Sequence, residues 1–551
     1  MLQRLDRIVP QRYHAWVLCA ILTGVCLLLL LTVSTLWLWP ALAFGALTLI
    51  GLVDYLQPSQ AIRRNYPVLA HFRFFFEYIR PEIRQYFIEA DSEELPFSRA
   101  QRSIIYQRSK QALDKRPFGT QLNLYEPHYE WINHSIAPVH IEDHDFRIAV
   151  GGPACTRPYS ASVFNISAMS FGALSANAIL ALNEGARRGS FFHDTGEGSI
   201  SRHHRQNGGD LVWEIGSGYF GCRDAKGRFD GARFAENAAI DQVKMIEIKL
   251  SQGAKPGHGG VLPGAKVSPE IAEARGVPVG IDCISPARHS AFATPIELLE
   301  FIARLRELAG GKPVGFKLAI GHPWEWFAIV KAMLKTGITP DFIVVDGGEG
   351  GTGAAPLEFT DHVGAPLREG LMLVHNTLVG VNLRNRICIG SSGKIVTAFD
   401  IARTIATGAD WCNSARGFMF ALGCLQAQTC HTGHCPTGVT TQDPTRMRAL
   451  DVTDKSSRVH QFHRNTLIAL KEMLGAAGLN HPHDLGPEHV IRRVSATDVR
   501  SLASLHHWAR PGELLTGVPD HPVFKVFWDV ARAESFAAPS TTLSLRGSKM
   551  H

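Results

Sequence analysis

At 551 residues the chain exceeds one ordinary domain, although a barrel of about 250 residues with extensions at both ends would account for it. Its net charge of +6, from 56 basic and 50 acidic side chains, is too slight to mark a nucleic-acid binder, and no basic run interleaved with aromatics occurs. Ten cysteines scattered over this length, three of them clustered, exclude a secreted disulfide framework and indicate a reducing compartment.

The first element is apolar. Residues 13–53, between Arg12 and Asp54, contain no Asp, Glu, Lys or Arg. As one helix, 41 residues would span about 60 Å, twice the roughly 30 Å of a bilayer's hydrocarbon core. Two crossings joined near Trp37-Leu38-Trp39-Pro40 fit better, with the tryptophans at the interface and Pro40 opening the second helix. Arg4, Arg7 and Arg12 precede this hairpin and Arg63 and Arg64 follow it, so both flanks should face the cytoplasm, with the hairpin in the inner membrane. The block is too long for the h-region of a cleaved signal peptide.

Residues 58–150 mix aromatics, charges and prolines, including His71-Phe72-Arg73-Phe74-Phe75-Phe76-Glu77-Tyr78. They read as an amphipathic cap or linker that either packs on the following domain or rests at the membrane surface.

From about Ser162, short β-type runs alternate with helical patterns. The predicted strands are 163–168, 191–194, 243–250, 279–284, 314–320, 342–346, 387–390 and 411–413. Eight such runs, most followed by an amphipathic helix, predict an α/β fold, a (β/α)8 TIM barrel, over an open doubly wound sheet. One helix is especially legible. Thr294-Pro295-Ile296-Glu297 supplies a cap, an N1 proline and an N3 glutamate, and Leu298, Phe301, Ile302, Leu305 and Leu308 follow at helical spacing.

Barrel chemistry belongs at the C-terminal ends of the strands. After the first run, Ser167, Ala168, Met169 and Ser170 are small or flexible enough for a planar ring to approach the backbone. Asp194-Thr195-Gly196-Glu197 follows the second. Lys249, Gln252 and Lys255 then lie on a glycine-rich turn that suits an anion. Lys317 ends the fifth run. Asp346-Gly347-Gly348 ends the sixth, Ser392-Gly393-Lys394 the seventh and Ser414-Ala415-Arg416 the eighth. Glycine-rich turns after strands seven and eight are the usual barrel phosphate site, so a phosphate-bearing cofactor is expected.

Beyond the last strand, Cys424, Cys430 and Cys435 stand at C-x5-C-x4-C spacing, with Pro436 following. Three thiolates this close repel unless a cation shares their charge, so a metal or an iron–sulfur cluster is the natural reading. Zinc would want a fourth ligand, from His431 or His434, and lacks its usual C-x2-C knuckle. Three buried free thiols are the remaining alternative.

The motifs SAMSFGALS (167–175), TGEGS (195–199), IKLSQGAKPGHGG (248–260), ISP (284–286), VVDGGEGGTGAAPLE (344–358), SSGK (391–394) and CNSARGFMFALGC (412–424) carry a resemblance. The run from about Phe164 to Pro444 resembles the FMN-binding synthase domain of glutamate synthase large subunits, and more closely the shorter FMN-binding glutamate synthase-like proteins. The resemblance implies FMN in the barrel and a 3Fe-4S cluster on Cys424, Cys430 and Cys435. It implies an oxidoreductase acting on CH–NH2 donors, in which 2-iminoglutarate, from 2-oxoglutarate and ammonia, is reduced to L-glutamate. Lys255 and Arg275 match the family's basic substrate-binding residues and Glu197 its acidic turn residue. Lys249, Gln252 and Lys317 would contact flavin or substrate, with Lys317 steadying the reduced ring. Val261 stands where the family usually carries Gln or Glu.

The expected organisation is a transmembrane hairpin (1–57), a cap or linker (58–150), a flavin barrel with its cysteine segment (151–450) and a C-terminal helical extension (451–551). The first residues offer no glutaminase cysteine and no second Rossmann-type domain is evident. Nitrogen should therefore arrive as ammonia or an amine, and electrons from a separate ferredoxin or reductase. The alternatives are a related amine-transfer enzyme, an oxidoreductase on another small acid, or a non-catalytic membrane-tethered electron relay.

Overall fold

Two antiparallel apolar helices begin the chain, α1 (His14–Thr32) and α2 (Leu38–Leu56). Each has 19 residues, about 28 Å of helix, enough by length and composition to cross a bilayer. The break falls earlier than the tryptophans. Ser34 turns extended and its hydroxyl accepts from the Leu36 amide, and Pro40 lies within the first turn of α2. The helices meet through a small residue. A methyl group on Gly51 would lie 2.2 Å from the Trp16 ring, whose Nε1 donates to the Thr48 carbonyl at 3.0 Å. Asp54, in the last turn of α2, is buried and accepts from the Val68 amide at 3.1 Å and His71 Nε2 at 2.9 Å. It thereby fixes the start of α3 (Leu69–Ile83).

The computed structural model describes residues 9–90 and 96–538, and the chain divides into compact units at 1–99 and 100–551. Arg4 and Arg7, expected to flank the hairpin, lie outside the described residues.

The second unit is built on a closed barrel of eight parallel strands. These are β1 (Phe164–Ile166), β2 (His193–Asp194), β3 (Leu211–Ile215), β4 (Val243–Lys249), β5 (Val314–Leu318), β6 (Phe342–Asp346), β7 (Cys388–Ser392) and β8 (Trp411–Ser414). Each strand pairs with the next in sequence, and β8 closes on β1 through Ser414 beside Ile166. The barrel expected from the sequence is present, with one exchange of strand. The run 279–284 is not in the barrel. Its Val279 and Ile281 face solvent, Gly280 takes a φ of +74°, and Cys283–Ile284 pairs instead with Val261–Leu262 in a small antiparallel hairpin. The third barrel strand is Leu211–Ile215, fully buried along its length. It hides in the sequence because it contains Glu214, a residue seldom buried without a partner. The partner is Lys317 of β5.

Helices cover the barrel where their caps predict. α4 (Arg99–Ser109) precedes the barrel, and α5 (Ala176–Arg188) starts on Ser175, whose hydroxyl accepts from Ala178 N at 3.2 Å. α6 (Pro269–Arg275) follows the hairpin's first strand. α7 (Pro295–Leu308) carries the expected capping box, Thr294 and Glu297 exchanging bonds at 3.2 Å. The C-terminal extension is structural. Its 25-residue helix α8 (Val452–Ala476) packs Val459 against Gly185 of α5, where an added methyl would lie 2.4 Å from the valine. Residues before the barrel join it too: Glu130 pairs with Ile491's neighbour Arg492 across a three-stranded sheet and takes Arg368 at 2.8 Å and Arg403 at 3.1 Å.

Candidate active site

Strand register brings the expected residues to one end of the barrel. Lys249 stands beside Lys317, Asp346 beside Ser392, and Ser392 beside Asn413, so the loops that follow open on a common mouth. Those loops touch. A methyl on Gly196 (φ +64°) would lie 2.6 Å from the Ser170 amide, and one on Gly253 would lie 1.7 Å from the Gly347 carbonyl. Asp346 is a knot among three loops: it accepts from Gly253 N at 2.8 Å and from the Ser392 hydroxyl. Gly347 N donates to Ser392 O at 2.8 Å, and Gly348 N to Ala365 O at 2.8 Å. Around the turn after β8, Ser414 O accepts from Ser167 N at 3.1 Å, and Arg416 donates to Glu349 O at 2.6 Å. Burial lowers the Arg416 guanidinium to about 10 despite Asp346 and Glu349 nearby. The amides of Gly393 and Ala415 donate to no acceptor among the described residues. Lys394 next to Gly393 holds a left-handed φ of 50°.

Lys249, Lys255 and Arg275 converge on Glu197. Lys249 Nζ lies 3.1 Å from its carboxylate. Burial acts to raise the Glu197 carboxyl, but Lys249, Arg275 and Lys255 outweigh it and hold it below the usual range. Burial lowers the Lys255 ammonium, and only Glu197 resists. Glycines make the space: a methyl on Gly216 would meet Glu197 Oε2 at 2.9 Å, and one on Gly260 would meet Oε1 at 3.0 Å. Arg275 is buried, donates to Phe171 O at 3.2 Å, and lies 5.2 Å from the Phe220 ring centroid. Gln252 is half-buried on the same turn. Val261 is exposed, cross-strand from Ile284, while its neighbour Gly260 faces Glu197.

Lys317 is less free than the sequence suggests. It is buried and ion-paired to Glu214 and, at 3.0 Å, to Glu247. Burial acts to lower its ammonium, and Glu214, Glu247 and Asp194 together raise it well above the usual value. Burial pushes Glu247 up to about 7 and lifts Asp194 well above the carboxylate range. Asp194, Glu214 and Glu247 lie close enough together to hold a cation, and the Lys317 ammonium is the cation already there.

Sequence reasoning missed this buried quartet, and it missed His289. The His289 ring bonds Tyr219 Oη at 3.1 Å and the Lys249 carbonyl at 2.8 Å, and burial keeps it neutral, at about 4. Nothing local marks His289, because its partners Tyr219 and Lys249 stand 70 and 40 positions away.

The three cysteines line one cavity with Met419, Thr437 and Thr440. Burial pushes the Cys424 thiol up to about 11, helped by Cys430 and Cys435. Burial acts the same way on Cys435, but bonds from Thr437 and Thr440 bring it down to about 7. His431 and His434 are exposed and are not among the cavity's lining residues. The segment is tied to the β1 loop: Ser175 donates to Gly438 O at 2.7 Å, Ser175 N to Val439 O at 2.9 Å, and Gln442 to Gly172 O and Leu174 O at 3.1 and 3.0 Å.

Residues 140–480 match the family model described as the conserved region in glutamate synthase. The chain belongs to the glutamate synthase family. It is 37% identical over 499 residues to the glutamate synthase large subunit-like protein YerD of Bacillus subtilis, covering 83% of this chain and 94% of that one. An archaeal-type NADPH glutamate synthase of Thermotoga neapolitana is 36% identical over 330 residues, and the archaeal NADPH glutamate synthase of Methanocaldococcus jannaschii 37% over 316. The chain spans 62% and 59% of those two relatives, and they match 60% and 57% of it. Among solved structures, flavocytochrome b2 with sulfite bound aligns at 12% identity and a TM-score of 0.40, covering 82% of this chain and 92% of that one. Family membership makes the chain a glutamate synthase-type oxidoreductase acting at a CH–NH2 group.

Proposed function

We propose that this chain is a membrane-anchored flavin and iron–sulfur oxidoreductase that reduces 2-iminoglutarate, formed from 2-oxoglutarate and ammonia, to L-glutamate with electrons from a separate ferredoxin or reductase. The observation that carries it is the meeting of Lys249, Lys255 and Arg275 around Glu197 at the barrel mouth. Three cations about one carboxylate leave positive charge for a dicarboxylate, and a pure electron relay needs no such pocket.

The residues fit FMN. Ser167, Ala168, Met169 and Ser170 would lie along its ring, and the amides of Gly393 and Ala415, with Lys394 and Arg416 beside them, suit its phosphate. When bound, FMN would supply hydride to the imine carbon. Lys255 and Arg275 would hold the substrate's carboxylates. Glu197, kept ionised by Lys249, would face the substrate nitrogen. Lys255, its ammonium lowered by burial, releases a proton more readily than a surface lysine and would give it to that nitrogen as hydride arrives. His289 holds the backbone of Lys249 in place.

The cysteine cavity fits a 3Fe-4S cluster better than zinc, because it has three sulfurs and no histidine in its lining. Its ties to the β1 loop join the segment that would hold the cluster to the loop that would hold the flavin. The apolar hairpin would anchor the enzyme in the inner membrane with the barrel in the cytoplasm. Lys255→Ala tests the reading. It should retain FMN while abolishing flavin reoxidation by 2-oxoglutarate plus ammonium; full reoxidation in the variant would favour the relay.

A further inference from the structure

The helix that leaves the hairpin carries an exposed apolar face, half-buried only at Ile79 and Ile83. Along α3, Leu69, Phe72, Phe76, Ile79 and Ile83 recur at intervals of three and four, the spacing of one helical stripe. Phe72 is 62% exposed, Phe75 54% and Phe76 57%, and the π-helical turn Arg84–Ile88 continues the patch with Tyr86, Phe87 and Ile88. Contiguous exposed aromatics on this scale mark an interaction surface. Charge flanks the stripe: Arg73 pairs with Glu77 at 2.8 Å, and residues 61–88 hold five arginines against two glutamates.

Geometry selects the occupant. Asp54 sits in the last turn of α2 and binds both the Val68 amide and His71, so α3 begins within hydrogen-bonding distance of where the second apolar helix ends. A stripe of aromatics flanked by arginines, starting where a membrane helix stops, has the composition of a helix lying in the headgroup region of an anionic bilayer. We infer that α3 and the turn after it lie flat on the cytoplasmic leaflet, with Phe72, Phe76 and Phe87 in the acyl boundary and Arg73 and Arg80 among lipid phosphates. This rests on the proposed membrane crossing of α1 and α2.

The test uses the full chain in vesicles of phosphatidylcholine and phosphatidylglycerol. A fluorescent non-canonical amino acid is encoded singly at position 72, 76 or 28, and bromine-labelled lipids serve as quenchers. The thiols stay untouched. Quenching at 72 and 76, stronger with bromine near the headgroup than at the chain end, supports the placement. Position 28, within α1, should show the reverse order. Absence of quenching at both 72 and 76 overturns the inference. In that case quenching at 28 shows that the hairpin reading survives, and its absence shows that it fails as well.

Discussion

Removing the ammonium from the buried quartet gives the sharpest test of how the barrel interior is built. Lys317→Met keeps much of the side-chain volume and leaves Glu214 and Glu247, each about 1% exposed, without their cation. Breaking a buried pair by deleting one partner costs about 3–5 kcal/mol, since the remaining charge stays desolvated. The loss should depend on pH. Glu247 is held at about 7 against an ordinary 4.5, so the folded state binds its proton more tightly than the unfolded chain. Its contribution is therefore most favourable at low pH and falls as pH rises from the ordinary carboxylate value through about 7. Without Lys317 the Glu247 carboxyl must protonate to stay buried, which is easy at about pH 5 and costly at about pH 8. Urea unfolding of flavin-free protein, followed by tryptophan fluorescence at both values, measures this without counting lost ligand stabilisation. Adding Glu214→Gln should recover part of the loss. An equal deficit at both pH values, or one below about 1 kcal/mol at the higher, would refute the reasoning.

Other expectations follow from single contacts. Cys430→Ala should eliminate bound iron as measured by elemental analysis, and unchanged iron would remove the cluster assignment. Gly253→Ala would drive a methyl into the Gly347 carbonyl, so loops after β4 and β6 must separate; flavin content should fall at least tenfold while the far-ultraviolet circular dichroism persists. Deleting residues 1–57 should release flavin-loaded protein into the soluble fraction, and loss of all flavin would make the hairpin part of the core. His289→Ala should lower turnover with bound flavin retained, because it frees the Lys249 backbone rather than removing a ligand.

Much of the fold was legible because its signals are local. The capping box at Thr294 and Glu297, the apolar stretch 13–53 and seven of the eight strands each declare themselves within a short window. The strand at Leu211–Ile215 did not, because its identity depends on a partner 103 positions away, Lys317. The run 279–284 misled for the complementary reason: Val279, Ile281 and Ile284 have strand propensity but face solvent, and only Ile284 of them joins the small hairpin. In the site, motifs identified Glu197, Lys249, Lys255 and Arg275, and the structure gathers them. No motif showed that Lys317 arrives already paired, or that His289 and Tyr219 brace Lys249.

The central claim is a flavin at the barrel mouth that reduces the imine of a small dicarboxylic oxo acid. It is tested most directly by isolating the full chain without oxygen, reducing its flavin, and mixing it with 2-oxoglutarate and ammonium. Return of the oxidised flavin spectrum with one L-glutamate formed per flavin is the expected result. A colourless protein, or a reduced flavin that 2-oxoglutarate and ammonium leave unchanged, would contradict it.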